Sequence, residues 1–119
     1  DAALFALRRG ETGEAEIAAR YRRRRDVALA ALEGARGVRT APAKGGMYVM
    51  LDIRETGLSG VAFAEGLLEA AHVAVMPGES FGAAGAGHLR VALTAPEDRL
   101  REAMRRLSAF AAERVAAPA

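Results

Sequence analysis

Val73-Ala74-Val75-Met76-Pro77-Gly78-Glu79-Ser80-Phe81-Gly82 runs through a glycine- and alanine-rich loop into Gly87-His88-Leu89-Arg90-Val91-Ala92-Leu93, and this stretch decides the fold. Two short apolar runs flank a turn that Pro77 and Gly78 begin. In the second run, Leu89, Val91 and Leu93 fall on one face of a strand, which puts His88, Arg90, Ala92 and Thr94 on the other. A charged side chain is thereby mounted on a rigid element, pointing away from the leucines. Its guanidinium offers a planar fork of donors suited to a carboxylate or a phosphate. The plainer alternative is a strand arginine paired with a glutamate from a neighbouring helix.

On either side of this stretch the elements fall into a regular order. Ala2 to Arg9 is a short helical run, and Gly10 to Gly13 interrupts it, with Thr12 able to cap the next helix. That longer helix is expected from Glu14 to about Glu33, with Ile17, Tyr21, Ala28 and Leu32 on one face. Val38 to Ala41 reads as an edge strand and Met47 to Ile53 as the best strand of the chain. Both faces of that strand are largely apolar, so it is expected to be covered on both sides. Ser59 caps a helix over Val61 to Ala71, whose inward residues are Phe63, Leu67, Leu68 and Ala71. Val73 to Met76 is a strand. After the arginine strand, Thr94-Ala95-Pro96-Glu97 fits a capping box for a last helix from about Ala95 to Val115. Two i,i+4 pairs, Glu97 with Arg101 and Glu102 with Arg106, support that helix. The result is an α+β class: a small three- to four-stranded sheet with helices packed on it.

Composition narrows the chemistry. The chain has 119 residues, 51% of them hydrophobic, so residues 1–119 are expected to form a single domain with a modest core. Aromatic residues are only 5%, leaving the packing to aliphatic and alanine side chains. Without cysteine there is no disulfide, thiolate metal site or cysteine nucleophile. No apolar run is long enough to span a bilayer and no signal-peptide pattern is present, so a cytoplasmic location is the default expectation. The chain opens on Asp1 in an already helical sequence and carries one lysine, Lys44, among many arginines. A piece of a longer polypeptide is the expectation.

Several motifs are weaker than they look. Arg22-Arg23-Arg24-Arg25 would invite a nucleic-acid reading, but four consecutive helical residues fan around the axis and form no stripe. Arg24 and Arg25 fall near the apolar face and must snorkel or pair with acids. With 17 basic against 15 acidic residues the charge is nearly balanced, so neither nucleic acid nor membrane is an expected partner. Gly78-Glu79-Ser80-Phe81-Gly82 matches the nucleophile-elbow spelling, yet Pro77 before it and glycines after it leave no helix to follow. The loop from Gly82 to Gly87 leads into a strand and not into a helix N-terminus, so it lacks the geometry of a phosphate cradle and is read as a flexible connection. His72 is expected to end a helix. His88 shares the face of Arg90, and two histidines with few carboxylates nearby make no metal site.

Taken together, the chain resembles the C-terminal small domain of a class I/II, fold-type I, pyridoxal-phosphate-dependent aminotransferase. The resemblance rests on Tyr21-Arg22-Arg23-Arg24-Arg25-Asp26, Gly37-Val38-Arg39, Gly45-Gly46-Met47-Tyr48-Val49, the Pro77-Gly78 turn ending in Phe81-Gly82, and Gly87-His88-Leu89-Arg90. It implies that Arg90 binds the α-carboxylate of an amino-acid substrate. It also implies that pyridoxal 5'-phosphate, its Schiff-base lysine and its phosphate-binding residues belong to a large domain preceding this chain. No catalytic, cofactor-binding or metal-binding residue is expected among these 119. Lys44, in a Pro-Ala-Lys-Gly-Gly turn, does not have the context of the cofactor lysine, so the chain alone is expected to be inactive. The implied substrates are amino acids and 2-oxo acids, and the implied assembly is a homodimer. The same arginine would serve a lyase or a carbon–carbon bond-forming enzyme of this fold type. A stand-alone α+β binding or regulatory module is the alternative from a different class.

Overall fold

A computed structural model describes residues 1–115, apart from the side chains of Glu11 and Thr12; the capping expected of Thr12 therefore lies outside the described residues. Four helices and four strands follow one another in the anticipated order. They are α1 (Ala2–Arg8), α2 (Glu11–Ala30), β1 (Arg39–Thr40), β2 (Tyr48–Asp52), α3 (Gly60–Ala71), β3 (Met76–Pro77), β4 (His88–Ala92) and α4 (Glu97–Ala112). The strands make one antiparallel sheet in the order β1-β2-β4-β3. Pro77, which cannot donate to a ladder, is at the sheet edge, where a missing donor is tolerated.

Alternation along the two central strands sorts their side chains. Val49 and Leu51 of β2 and Leu89 and Val91 of β4 are buried with Ile53 and Leu93. Phe63 and Leu67 of α3, Leu100, Met104 and Leu107 of α4, and Ala28 of α2 complete this core. Helices α2, α3 and α4 thus form a layer on one face. The opposite face, carrying Tyr48, Met50 and Asp52 of β2 and His88, Arg90 and Ala92 of β4, is only half-buried or exposed. The expected two-sided cover of β2 is therefore corrected: among the described residues, no layer lies on its second apolar face.

Other differences have local reasons. All of α1 is exposed, and Ile17 of α2 is 53% exposed, because α2 runs on past the sheet and begins to touch the core only near Tyr21. Leu68 is also exposed, since it follows Phe63 by five positions and is carried some 140° around the helix. The strand expected over Val73 to Met76 pairs with β4 only at Met76 and Pro77. Ser59 does cap α3, accepting the Ala62 amide at 3.1 Å. The Thr94 capping box does not form: α4 starts at Glu97 with Pro96 as its N-cap. The carbonyls of Leu93 and Thr94 instead accept hydrogen bonds from Arg24 at 3.2 and 3.1 Å. Glu97 turns to Arg23, at 3.8 Å, and not to Arg101, whereas Glu102 pairs with Arg106 as expected and with Arg105 as well, both at 2.9 Å.

Candidate functional site on the open face of the sheet

Register places Arg90 in the middle of the open face. It lies opposite Met50 on β2 and Met76 on β3, with Tyr48 two positions along β2. Its Cζ sits 4.1 Å from the Tyr48 ring centroid and 4.0 Å from that of Phe81. The two rings make no contact with each other, so the guanidinium lies between them.

Among the described residues, four arginines are half-buried: Arg24, Arg25, Arg90 and Arg114. Arg24 donates to the carbonyls of Leu93 and Thr94, while Arg25 donates to the Ala43 carbonyl and pairs with Asp26, the acid partner expected of it. Arg114 also lies over a ring, 3.3 Å from the Phe110 centroid, but its Nη1 donates to the Phe110 carbonyl at 2.7 Å. Arg90 alone of the four donates no hydrogen bond and has no carboxylate partner. The alternative of a strand arginine neutralised by a helix glutamate is thereby set aside. The result is a partly desolvated cation whose donors are unused, the arrangement that favours an incoming anion.

The turn bearing Phe81 is anchored, not loose. Gly78 and Gly85 approach so closely that a Cβ on either would run into the other's carbonyl oxygen. Glu79 Oε1 accepts the amides of Gly60, the first residue of α3, at 2.8 Å and of Gly87 at 3.2 Å. Its own amide first, then those of Gly60 and Gly87, hold the Glu79 carboxyl below the usual carboxylate range. The expected flexible connection from Gly82 to Gly87 is thus tied down at both ends, and the Gly87 carbonyl accepts the Ile53 amide at 3.0 Å. Sequence reasoning missed Phe81 as a partner of Arg90 and Glu79 as an anchor. Nothing in the nine-residue separation of Phe81 and Arg90, or in the nineteen-residue separation of Gly60 and Glu79, signals these contacts.

Beside Arg90, Asp52 is the cross-strand partner of His88. The Arg54 fork grips its carboxylate, Nε to Oδ1 at 3.0 Å and Nη2 to Oδ2 at 2.6 Å. This hydrogen bonding holds the Asp52 carboxyl far below its ordinary range, against the opposing effect of partial burial. A depressed folded value means stability present above the unfolded value, about 4, and lost as pH falls through the folded one. Asp52→Asn is therefore expected to lower the urea midpoint by a constant amount above about pH 5, with the gap to the parent closing below about pH 4. A gap unchanged down to pH 3 would contradict the assignment. His88 turns its Nδ1 to the Ala86 carbonyl at 2.9 Å, and His72 forms the C-cap of α3 at φ 55°. Ser80 is exposed and hydrogen-bonds to no histidine, so the elbow spelling carries no triad.

The class I and II aminotransferase family profile matches residues 2–107. The chain belongs to that family. It is 50% identical over 93 residues to the arginine–pyruvate transaminase of Pseudomonas aeruginosa, which covers 78% of this chain and 24% of that protein. To an aspartate aminotransferase of Pyrococcus horikoshii it is 37% identical over 108 residues, 89% of this chain and 28% of that one. The crystal structure of an aromatic aminotransferase from Pyrococcus horikoshii superposes with a TM-score of 0.73 at 39% identity, covering 79% of this chain and 25% of that one. The chain thus spans about a quarter of the length of the curated relatives it matches.

Aminotransferases of this family depend on pyridoxal phosphate, and the described residues do not fit that group. Lys44, the one lysine, is exposed on the turn before β2 and lines a cavity of about 430 Å³ with Ile17, Tyr21 and Met47, a cavity to which Arg90 does not contribute. The loop that could have cradled a phosphate has four of its six amides engaged: Gly82 to the Glu79 carbonyl, Gly85 to Gly82, Ala86 to Ala83 and Gly87 to the Glu79 carboxylate. No helix in the described residues is long and apolar enough to cross a membrane.

Proposed function

We propose that the whole protein moves an amino group between an amino acid and a 2-oxo acid with pyridoxal phosphate, and that this chain supplies the grip on the substrate's α-carboxylate through Arg90. The observation that carries the reading is the half-buried, acid-free guanidinium on the open sheet face. A carboxylate docking there would receive parallel N–H donors from a group already fixed by its strand, so little orientational freedom is lost on binding. Gripping one end of the substrate fixes where its amine and Cα–H stand relative to a cofactor held by residues beyond these 119, and water excluded from the cleft strengthens the grip. The uncovered apolar residues around Arg90, among them Met76 at 44% exposure, are consistent with a face that forms half of a cleft. The chain would then be the C-terminal small domain of a homodimer, an assembly that rests on family membership; a cytoplasmic location is carried over from the default expectation of the sequence.

The test is a donor screen on the full-length protein with pyruvate as acceptor, starting with arginine because the relative at 50% identity is named for it. Cofactor-dependent formation of alanine is expected. Borohydride treatment of the holoprotein is expected to attach the cofactor to a lysine other than Lys44, and the isolated 119-residue chain is expected to trap none. Cofactor fixed on Lys44 would overturn the division of labour proposed here.

A further inference from the structure

We propose that Tyr48 and Phe81 are positioning residues that hold the Arg90 guanidinium by its two faces and leave only its edge for a carboxylate. This inference rests on Arg90 being the carboxylate grip and adds how the grip is kept ready. The geometry is the pair of ring contacts at 4.1 and 4.0 Å, made by rings that do not touch one another.

A half-buried cation needs stabilisation, and a chain has two ways to provide it. A carboxylate partner would neutralise the charge and occupy the N–H fork, so an incoming substrate would have to displace it. An aromatic face attracts the cation through its quadrupole yet accepts none of the in-plane donors. Arg90 has two such faces and, among the described residues, no acceptor for its guanidinium, so its charge and donors are left to an incoming group. With both sides covered, an anion can approach only in the guanidinium plane. That direction suits a flat carboxylate bound through two parallel hydrogen bonds.

The two rings come from parts of the chain with independent support. Tyr48 opens β2, in register with Ala92 of β4. Phe81 closes the turn that the Gly78–Gly85 contact and the Glu79 carboxylate pin against the start of α3. Both side chains are substantially exposed, Tyr48 at 40% and Phe81 at 50%, so neither is a core residue whose conformation packing alone explains.

The experiment uses the full-length holoprotein and propionate, a monocarboxylate without an amino group, as a competitive inhibitor that reads the carboxylate grip alone. Tyr48→Leu and Phe81→Leu are each expected to raise the propionate Ki and the amino-acid KM about 5- to 20-fold while kcat changes little, and Tyr48→Phe and Phe81→Tyr to restore both. On an Arg90→Gln background, neither leucine variant should weaken propionate further. If Arg90→Gln raises Ki and the two leucine variants do not, the positioning role is wrong and the grip stands. If Arg90→Gln itself leaves Ki unchanged, the grip is wrong and the positioning role falls with it. A Tyr48→Phe variant as weak as Tyr48→Leu would assign the effect to the hydroxyl and overturn the ring-face account. So would leucine variants that lower kcat and thermal stability while Ki stays put.

Discussion

Arg90→Gln in the full-length protein is expected to lower kcat/KM for the amino-acid substrate by about 100-fold, and Arg90→Lys by about 10-fold, with cofactor affinity and absorbance unchanged. The larger figure comes from losing a charge-assisted, two-pronged contact, for which about 3 kcal/mol is a reasonable magnitude. Lysine keeps the charge but presents a compact, strongly hydrated ammonium with no fork, so part of the attraction survives without the orientation. Because the orientation fixes where the reacting atoms stand, part of the loss should appear in kcat as well as in KM. The structure adds a reason for lysine to do poorly: Tyr48 and Phe81 flank a space set by a flat group. Steady-state kinetics together with cofactor titration separate the two effects. Unchanged kinetics in both variants would remove Arg90 from the substrate site.

Period-two patterning was enough to read the face on which Arg90 stands, because burial of Leu89, Val91 and Leu93 forces it. The same alternation sets Tyr48 on the face of β2 opposite Val49 and Leu51. It failed on whether that side is covered, since an apolar face looks the same whether its cover lies in the chain or outside it. The exposure of Leu4, Phe5, Leu7 and Ile17 has the same origin: helical periodicity identifies a stripe but not the surface it meets. An acid partner was anticipated for Arg24 and Arg25, and Arg25 finds one in Asp26; the carbonyls of Leu93, Thr94 and Ala43 were not anticipated, since tertiary packing brings them there. The Phe81 contact and the Glu79 anchor were illegible for that reason too. Arg24 also bears on the missing capping box: the Thr94 carbonyl is held by a side chain of α2 seventy residues away, and α4 begins only after Pro96.

Phe63→Ala is the stability counterpart of the Arg90 variants, with an expected cost of about 3–5 kcal/mol. Phe63 is fully buried, and its ring meets Phe110 of α4 edge-on, with centroids 5.0 Å apart and planes at 78°. In a chain with only four phenylalanines and no tryptophan, aliphatic neighbours have little spare volume with which to refill the void. Gly66, one turn along α3, lies against the tip of the Phe110 ring, where a Cβ would sit 2.9 Å from its Cζ; the close approach of α3 to α4 depends on that missing side chain. Losing the Phe63 ring therefore removes apolar burial and the edge-to-face contact together, of which the contact accounts for about 0.5–1.5 kcal/mol. Phe63→Leu isolates that smaller part and is expected to cost about 1 kcal/mol. For a domain of this size the alanine variant should melt roughly 10–20 °C lower in a calorimetric scan of the isolated chain. The consequence for the site is indirect but directional. Phe63 holds α3 to the core, the α3 N-terminus holds Glu79, and Glu79 holds the turn that carries Phe81. Below its melting range the variant should therefore keep a near-parental propionate Ki in the full-length protein, with the grip loosening only as α3 loosens. A loss of less than about 1 kcal/mol would show that α3 is held to the sheet by something other than this aromatic pair.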